Sequence, residues 1–311
     1  MNPFPRLIFI IVLAVLTCNS TKASPRAGFY LPDSLQQVTL TYRNINNLIL
    51  LPVIINDSIQ LNLILDTGCR NLVLFGKRFQ KLFIAEPGKK VQFSGLGSGR
   101  AIVGSLSLNN KVKIGAVLGE HIPIVVIPNR NLFGSYPRID GVIGYEVFTR
   151  FEIELNPVHQ KITFRPGYSG SLPLGYTHIP LRIEDSRPIM DGKVVFDVNE
   201  TQQFSLMIDT GSTLGLLLKT SSSREATTKG KRSVLGRGFN GIMEGILRKS
   251  KKLILHKMEI DMTETAVVYS SSYTHASLGM EVLKDYSLIL NYSKAYAGLK
   301  KIIQGDIPES I

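Results

Sequence analysis

Asp66 and Asp209 are the residues whose type and setting in this chain point to chemistry. Each opens an Asp-Thr-Gly tripeptide directly after an apolar run, residues 61–65 before the first and 204–208 before the second. One such tripeptide is also an ordinary turn, in which Asp bonds nearby backbone and Gly supplies an unusual φ. Two copies at matching places of a repeat carry more weight, because an internal two-fold relation brings equivalent residues together at its axis. Two carboxylates within about 3 Å do not both ionise cheaply, so they share a proton and titrate as a coupled unit. One member can then accept a proton while the other donates one, which is general acid–base chemistry.

The elements that must position these carboxylates also repeat. The stretch from Leu61 to Cys69 reappears from Phe204 to Ser212. Ser94 to Gly104 matches Leu235 to Gly245, and Asp140 to Phe148 matches His275 to Leu283. Three landmarks in one order, with small drifts in spacing, imply duplication. The breaker-rich stretch 166–175 is the expected join, giving an N-terminal lobe over 24–170 and a C-terminal lobe over 171–311. Residues 53–59, 61–65, 72–75, 122–127 and 151–155 read as short strands bounded by turn residues. Helical periodicity is confined to short pieces near 145–150 and 280–285, so the expected class is mostly β.

The segments Ile64-Leu65-Asp66-Thr67-Gly68 and Met207-Ile208-Asp209-Thr210-Gly211 resemble the active-site loops of aspartic proteases. Val142-Ile143-Gly144 and Ser277-Leu278-Gly279 are similar to the apolar-apolar-Gly element that threads through those loops in that family. The short halves look closer to the retroviral type, as in single-chain bilobed bacterial proteins, and the likeness runs over roughly 37–300. It implies two retropepsin-like β-barrel lobes about a pseudo-two-fold axis, with Asp66 and Asp209 activating a water that attacks a peptide bond. It further implies that Thr67 and Thr210 cross-brace the opposing loops and that Gly68 and Gly211 admit backbone close to the carboxylates. Gly95, Gly97 and Gly99, with Gly236, Gly238 and Gly241, fall where the family has its flaps, mobile hairpins that close over an extended peptide. The implied function is aspartic endopeptidase; the alternative is a catalytically silent peptide-binding protein on the same fold. Departures are Cys69 in place of the usual Ser or Ala, and a degenerate His275-Ala276 where the first half has Asp140-Gly141.

Composition narrows the remaining choices. The chain has 311 residues, 44% of them hydrophobic and 19% charged, which suits a globular protein large enough for two cores. Residues 1–23 read as a secretory signal: a charge at Arg6, a ten-residue apolar run from Leu7 to Leu16, then a polar end at Thr21-Lys22-Ala23. An exported protein is therefore expected, periplasmic, envelope-bound or extracellular. Cys18 leaves two routes open, plain cleavage or attachment of an N-terminal lipid, the latter being the one expected tie to a membrane. Only Cys18 and Cys69 are present, so no internal disulfide is expected in the exported chain.

The formal net charge is +12. Its clusters at 229–232 and 248–252 lack interleaved aromatics, so they read as solvated faces and no nucleic-acid partner is expected. Gly236-Arg-Gly-Phe-Asn-Gly241 fits a dinucleotide pattern, but an apolar strand-like run follows it where a helix should start. The five histidines show no metal-ligand spacing, so no metal or other cofactor is expected. No Gly-x-Ser-x-Gly elbow occurs, and Cys69 has no histidine in view to act as its base. Asn56, Asn199 and Asn291 open glycosylation sequons, relevant only in a glycosylating host. The expected partner is a peptide or protein substrate, bound by a monomer with pseudo-dimeric lobes.

Overall fold

The computed structural model describes residues 26–83, 89–93, 101–128, 139–220, 230–239, 241–269 and 275–303. The fold is mostly β, with helices limited among the described residues to the short pieces Lys77–Leu82, Tyr145–Phe148 and Met280–Leu283. The first of these was not anticipated. It buries only Phe79, so it carries little of the amphipathic pattern by which a helix is read from sequence.

Three sheets organise the strands. A nine-stranded sheet draws on segments between Gly28 and Ile143, and a ten-stranded sheet on segments between Arg182 and Gly279. In the first, Leu48–Ile55 turns through Asn56 and Asp57, both at positive φ, and returns antiparallel as Ile59–Leu65. That turn corrects the reading of 53–59 as one strand. Asn and Asp tolerate left-handed backbone, so the chain reverses where apolar periodicity alone would carry it on.

Alternation along Ile59–Leu65 divides its side chains between two sides. Leu61, Leu63 and Leu65 enter the main core, while Ile64 joins a smaller cluster with Leu50, Val73, Phe75 and Val142. Fully burying one such aliphatic side chain contributes about 1.5–3 kcal/mol before conformational entropy is subtracted.

The strand Gly141–Ile143 lies between the strands that flank the first Asp-Thr-Gly. It runs parallel to Ile59–Leu65, with Ile143 opposite Leu65, and antiparallel to Leu72–Phe75. The second sheet repeats the arrangement: Ala276–Gly279 runs parallel to Glu200–Asp209, with Gly279 opposite Asp209, and antiparallel to Leu216–Thr220. In both places the carboxylate-bearing loop leaves one strand and enters the next across a third strand, which fixes its two ends.

A six-stranded sheet joins the two regions, in the order Thr177–Pro180, Tyr296–Lys301, Tyr286–Asn291, Phe151–Asn156, Lys161–Pro166 and Val38–Thr41. Phe151–Asn156 pairs with Tyr286–Asn291 at its centre, from Glu152 opposite Asn291 to Leu155 opposite Leu288. The main core is continuous across this join and includes Phe148 and Phe151 with Leu288 and Leu290.

Candidate active site

The two Asp-Thr-Gly loops meet. Thr67 and Thr210 are fully buried, and each hydroxyl accepts the other residue's amide, at 3.0 Å for Thr210 N to Thr67 Oγ1 and 3.1 Å for the reverse. Each hydroxyl also donates across the join, Thr67 to the Ile208 carbonyl at 2.6 Å and Thr210 to the Leu65 carbonyl at 2.8 Å. Four bonds to buried backbone groups thus lock the loops together. A hydroxyl is needed at each position because it both donates and accepts.

The glycines after the threonines bring the carboxylates together. The Gly68 amide donates to Asp66 Oδ1 at 2.7 Å, and the Gly211 amide to Asp209 Oδ1 at 3.1 Å. A Cβ on Gly68 would stand 3.1 Å from Asp66 Oδ1 and 3.5 Å from Asp209 Oδ1. The two oxygens are therefore no further apart than those two distances together. A Cβ on Gly211 would stand 2.4 Å from Asp66 Cγ, closer than any real side chain allows. At Gly211 there is no room for a side chain, whereas at Gly68 one would be tight against the Asp66 carboxylate.

Burial is the main influence on both carboxyls. It raises Asp66 above its ordinary value, with the Asp209 charge adding to it, and is opposed by the Gly68 amide, by Arg187 and by the Cys69 amide. It raises Asp209 too, against the Gly211 amide, Lys219 and Arg187. A pair raised in this way holds a proton at a pH where a lone surface aspartate has lost it.

Several neighbours escaped the sequence reading. Arg187, at the start of Arg187–Asp197, and Lys219, near the end of Leu216–Thr220, bring positive charge to the carboxylates. Lys219 is itself pushed down to about 8, chiefly by burial. Tyr292 stacks on Phe148 with ring centroids 5.2 Å apart, and its buried hydroxyl has no hydrogen-bond partner among the described residues. Glu146, two residues after Gly144, is pushed up to about 8 by burial, and its Oε2 likewise lacks a partner among them. Arg187, Lys219 and Tyr292 lie outside the repeated motifs, and their relation to the carboxylates is one of space.

Cys69 and Ser212 follow the two tripeptides and turn to local backbone. The Cys69 thiol donates to the Asn71 carbonyl at 3.1 Å, and Ser212 Oγ accepts the Leu214 amide at 3.2 Å. Burial, then the Asp66 charge, pushes the Cys69 thiol well up, so it is no thiolate nucleophile. Asp140 accepts the Asn62 amide at 2.8 Å and pairs with Arg78, whereas His275 in the matching place faces Glu184 at 3.3 Å.

Of the glycines assigned to flaps, Gly95, Gly97 and Gly99 lie outside the described residues. Gly236 and Gly238 lie on Lys231–Gly238, and Gly241 starts Gly241–Lys249, the two strands of one hairpin closed by the pair Gly238 and Gly241. Gly236 and Gly241 take φ of 150° and 109°, which only glycine adopts readily.

No curated protein matches the chain. Residues 51–147 match the family model described as aspartyl protease, and this stretch carries Asp66 and the strand Gly141–Ile143 behind it.

Proposed function

We propose that this chain is an aspartic endopeptidase in which Asp66 and Asp209 together hydrolyse a peptide bond of an extended peptide or protein substrate. The observation that carries the reading is the reciprocal Thr67–Thr210 bracing, which holds the buried Asp66 and the half-buried Asp209 against one pair of glycines. Raised and sharing one proton, the pair can remove a proton from a water between them and donate one to the substrate carbonyl oxygen as it becomes tetrahedral. The two halves, 24–170 and 171–311, serve as duplicated lobes of one monomer, each giving one aspartate. The matching strand pairings around the two loops support that view. Residues 1–23 direct export in this reading.

The test is cleavage of an unbiased peptide library between pH 3 and 8. Asp66→Asn and Asp209→Asn should each lower kcat by about 10²–10⁴-fold, the usual contribution of a positioned acid or base, with circular dichroism unchanged. A fully active Asp209→Asn chain would remove the paired mechanism.

A further inference from the structure

A recess of about 380 Å³ lies on the outer face of the ten-stranded sheet, and its walls include Ile179, Leu181, Lys193, Gln203, Ile254 and His256. It is remote from the carboxylates: Gln203 precedes Asp209 by 209 − 203 = 6 residues of the one strand Glu200–Asp209, roughly 20 Å at the rise of a strand. One rung across three strands makes its floor. Lys193 pairs with Gln203 on one side and with Ile254 on the other, so the three side chains leave the same face of the sheet. Val194, the next residue along, points the opposite way into the main core. Ile179 and Leu181, both buried, add apolar wall from the segment that enters the sheet.

The charges around the recess are unevenly spent. Arg182 donates to both Asp191 oxygens, at 2.7 and 3.0 Å, and to Glu184 at 2.7 Å, so these three groups satisfy one another. The side chains of Lys193, Gln203 and His256 have no hydrogen-bond or ionic partner among the described residues. The nine-stranded sheet has the same rung with different contents. There Ile54 lies between Gln60 and Lys113, and Lys113 is taken up by Asp57 at 2.5 Å. Two residues beyond Lys113 the turn holds Gly115 at φ 58°, where a Cβ would stand 2.5 Å from Leu40 Cδ2. Two residues beyond Ile254 the turn holds His256 at φ 52°. Left-handed backbone is free to glycine and costs a residue with a Cβ. The second sheet therefore sets an imidazole on the recess where glycine suits the backbone better, and an unpaired lysine where the first sheet has isoleucine.

We propose that this recess binds a carboxylate carried on an apolar body. Lys193 pairs with the anion, Gln203 and His256 donate beside it, and Ile179, Leu181 and Ile254 lie against the body. One free ammonium matches one negative charge, which sets a carboxylate ahead of a phosphate. The size suits a small organic acid or the last residue of a peptide that ends in an apolar side chain. These two sources present the same chemistry, and neither depends on the peptidase reading.

The test is an NMR titration of the Asp66→Asn chain, chosen so that no peptide is cut, with phenylpropanoate, with its amide, and with acetyl-Gly-Phe bearing a free C-terminus. The acid should move the backbone signals of Lys193, Gln203, Ile254 and His256. The amide should bind about tenfold more weakly, the worth of one charge-assisted bond. Lys193→Gln should weaken the acid about tenfold as well, and Lys193→Arg should keep most of the affinity. His256→Gly should weaken it about threefold, with the thermal midpoint unchanged or raised, because glycine relieves the left-handed backbone. A merely structural histidine would move the midpoint and not the affinity. Tighter binding of acetyl-Gly-Phe than of phenylpropanoate assigns the site to a peptide terminus, and the reverse to a free acid; both support it. Equal binding of acid and amide overturns the carboxylate assignment. Signals that move at the Asp66 and Asp209 loops instead, or an acid that binds Lys193→Gln and His256→Gly as it binds the parent chain, overturn the recess. Binding by neither acid overturns the proposal outright.

Discussion

At the scale of single residues, the site is governed by the difficulty of burying charge. Asp66 and Asp209 are both raised by burial, so the singly protonated pair persists to higher pH than unperturbed aspartates allow. The kcat/KM profile should be bell-shaped, falling on the acid side where both carboxyls are protonated and on the alkaline side where both are ionised. Its maximum should lie above the ordinary aspartate value of 3.8; a maximum below it would contradict the shifts. Glu146 gives a stability prediction. Its folded value, about 8, exceeds its ordinary value of 4.5, so the folded state binds the extra proton between them. Its contribution is fully present below 4.5 and is lost as pH rises through 8. Glu146→Gln should remove that loss and stabilise the chain at pH 8 by about 4 kcal/mol relative to pH 4, measured by urea unfolding at both. Thr67→Ala strands the Thr210 amide and the Ile208 carbonyl and should cost roughly 2–5 kcal/mol. Thr67→Ser keeps the hydroxyl and should cost about 1 kcal/mol. The carboxylates were legible because a tripeptide repeats after an apolar run. Arg187, Lys219 and Glu146 were not, because no motif marks a residue whose role comes from charge or burial in the folded chain.

Strands and turns set the positions of these residues, and close packing sets the strands. A Cβ on Gly144 would stand 2.2 Å from the carbonyl oxygens of both Asp66 and Cys69, backbone atoms that cannot yield without moving the loop. Gly144→Ala should therefore abolish soluble folded protein. Gly215→Ala meets only ordinary neighbours, the nearest being Val282 Cγ2 at 3.4 Å, and should cost under about 1 kcal/mol. Thermal melts of the two variants compare the cases directly. The strand Leu72–Phe75 was read in full from sequence because its four residues are all buried and apolar and turn residues bound them. The turn at Asn56 and Asp57 was missed because apolar residues on both sides imitate one run. The long strand Ile102–Ile114 was missed because Ser105, Ser107, Asn109 and Asn110 break its alternation. Buried Asn110 donates instead to the Ser107 and Ile122 carbonyls, at 3.1 and 3.2 Å.

Over the whole molecule, the six-stranded sheet couples the halves. Its central pairing and the continuous core leave no seam along which one half can melt alone, so calorimetry should show one transition with calorimetric and van't Hoff enthalpies equal. Leu290→Ala, at a fully buried position on that sheet, should lower this one transition by about 2–5 kcal/mol without splitting it. Repeated landmarks were visible in sequence; the shared sheet was not, since its strands carry no recurring motif.

The same sheet imposes an order on events during synthesis. Asp66 emerges early, but Asp209 is backed by Ala276–Gly279, and the join between the halves is completed by Tyr286–Asn291 and Tyr296–Lys301. A ribosome-bound chain that stops before these strands lacks the join that sets its two aspartates side by side. Under the proposed chemistry, the machinery that makes this protein handles a nascent chain that cannot yet cut.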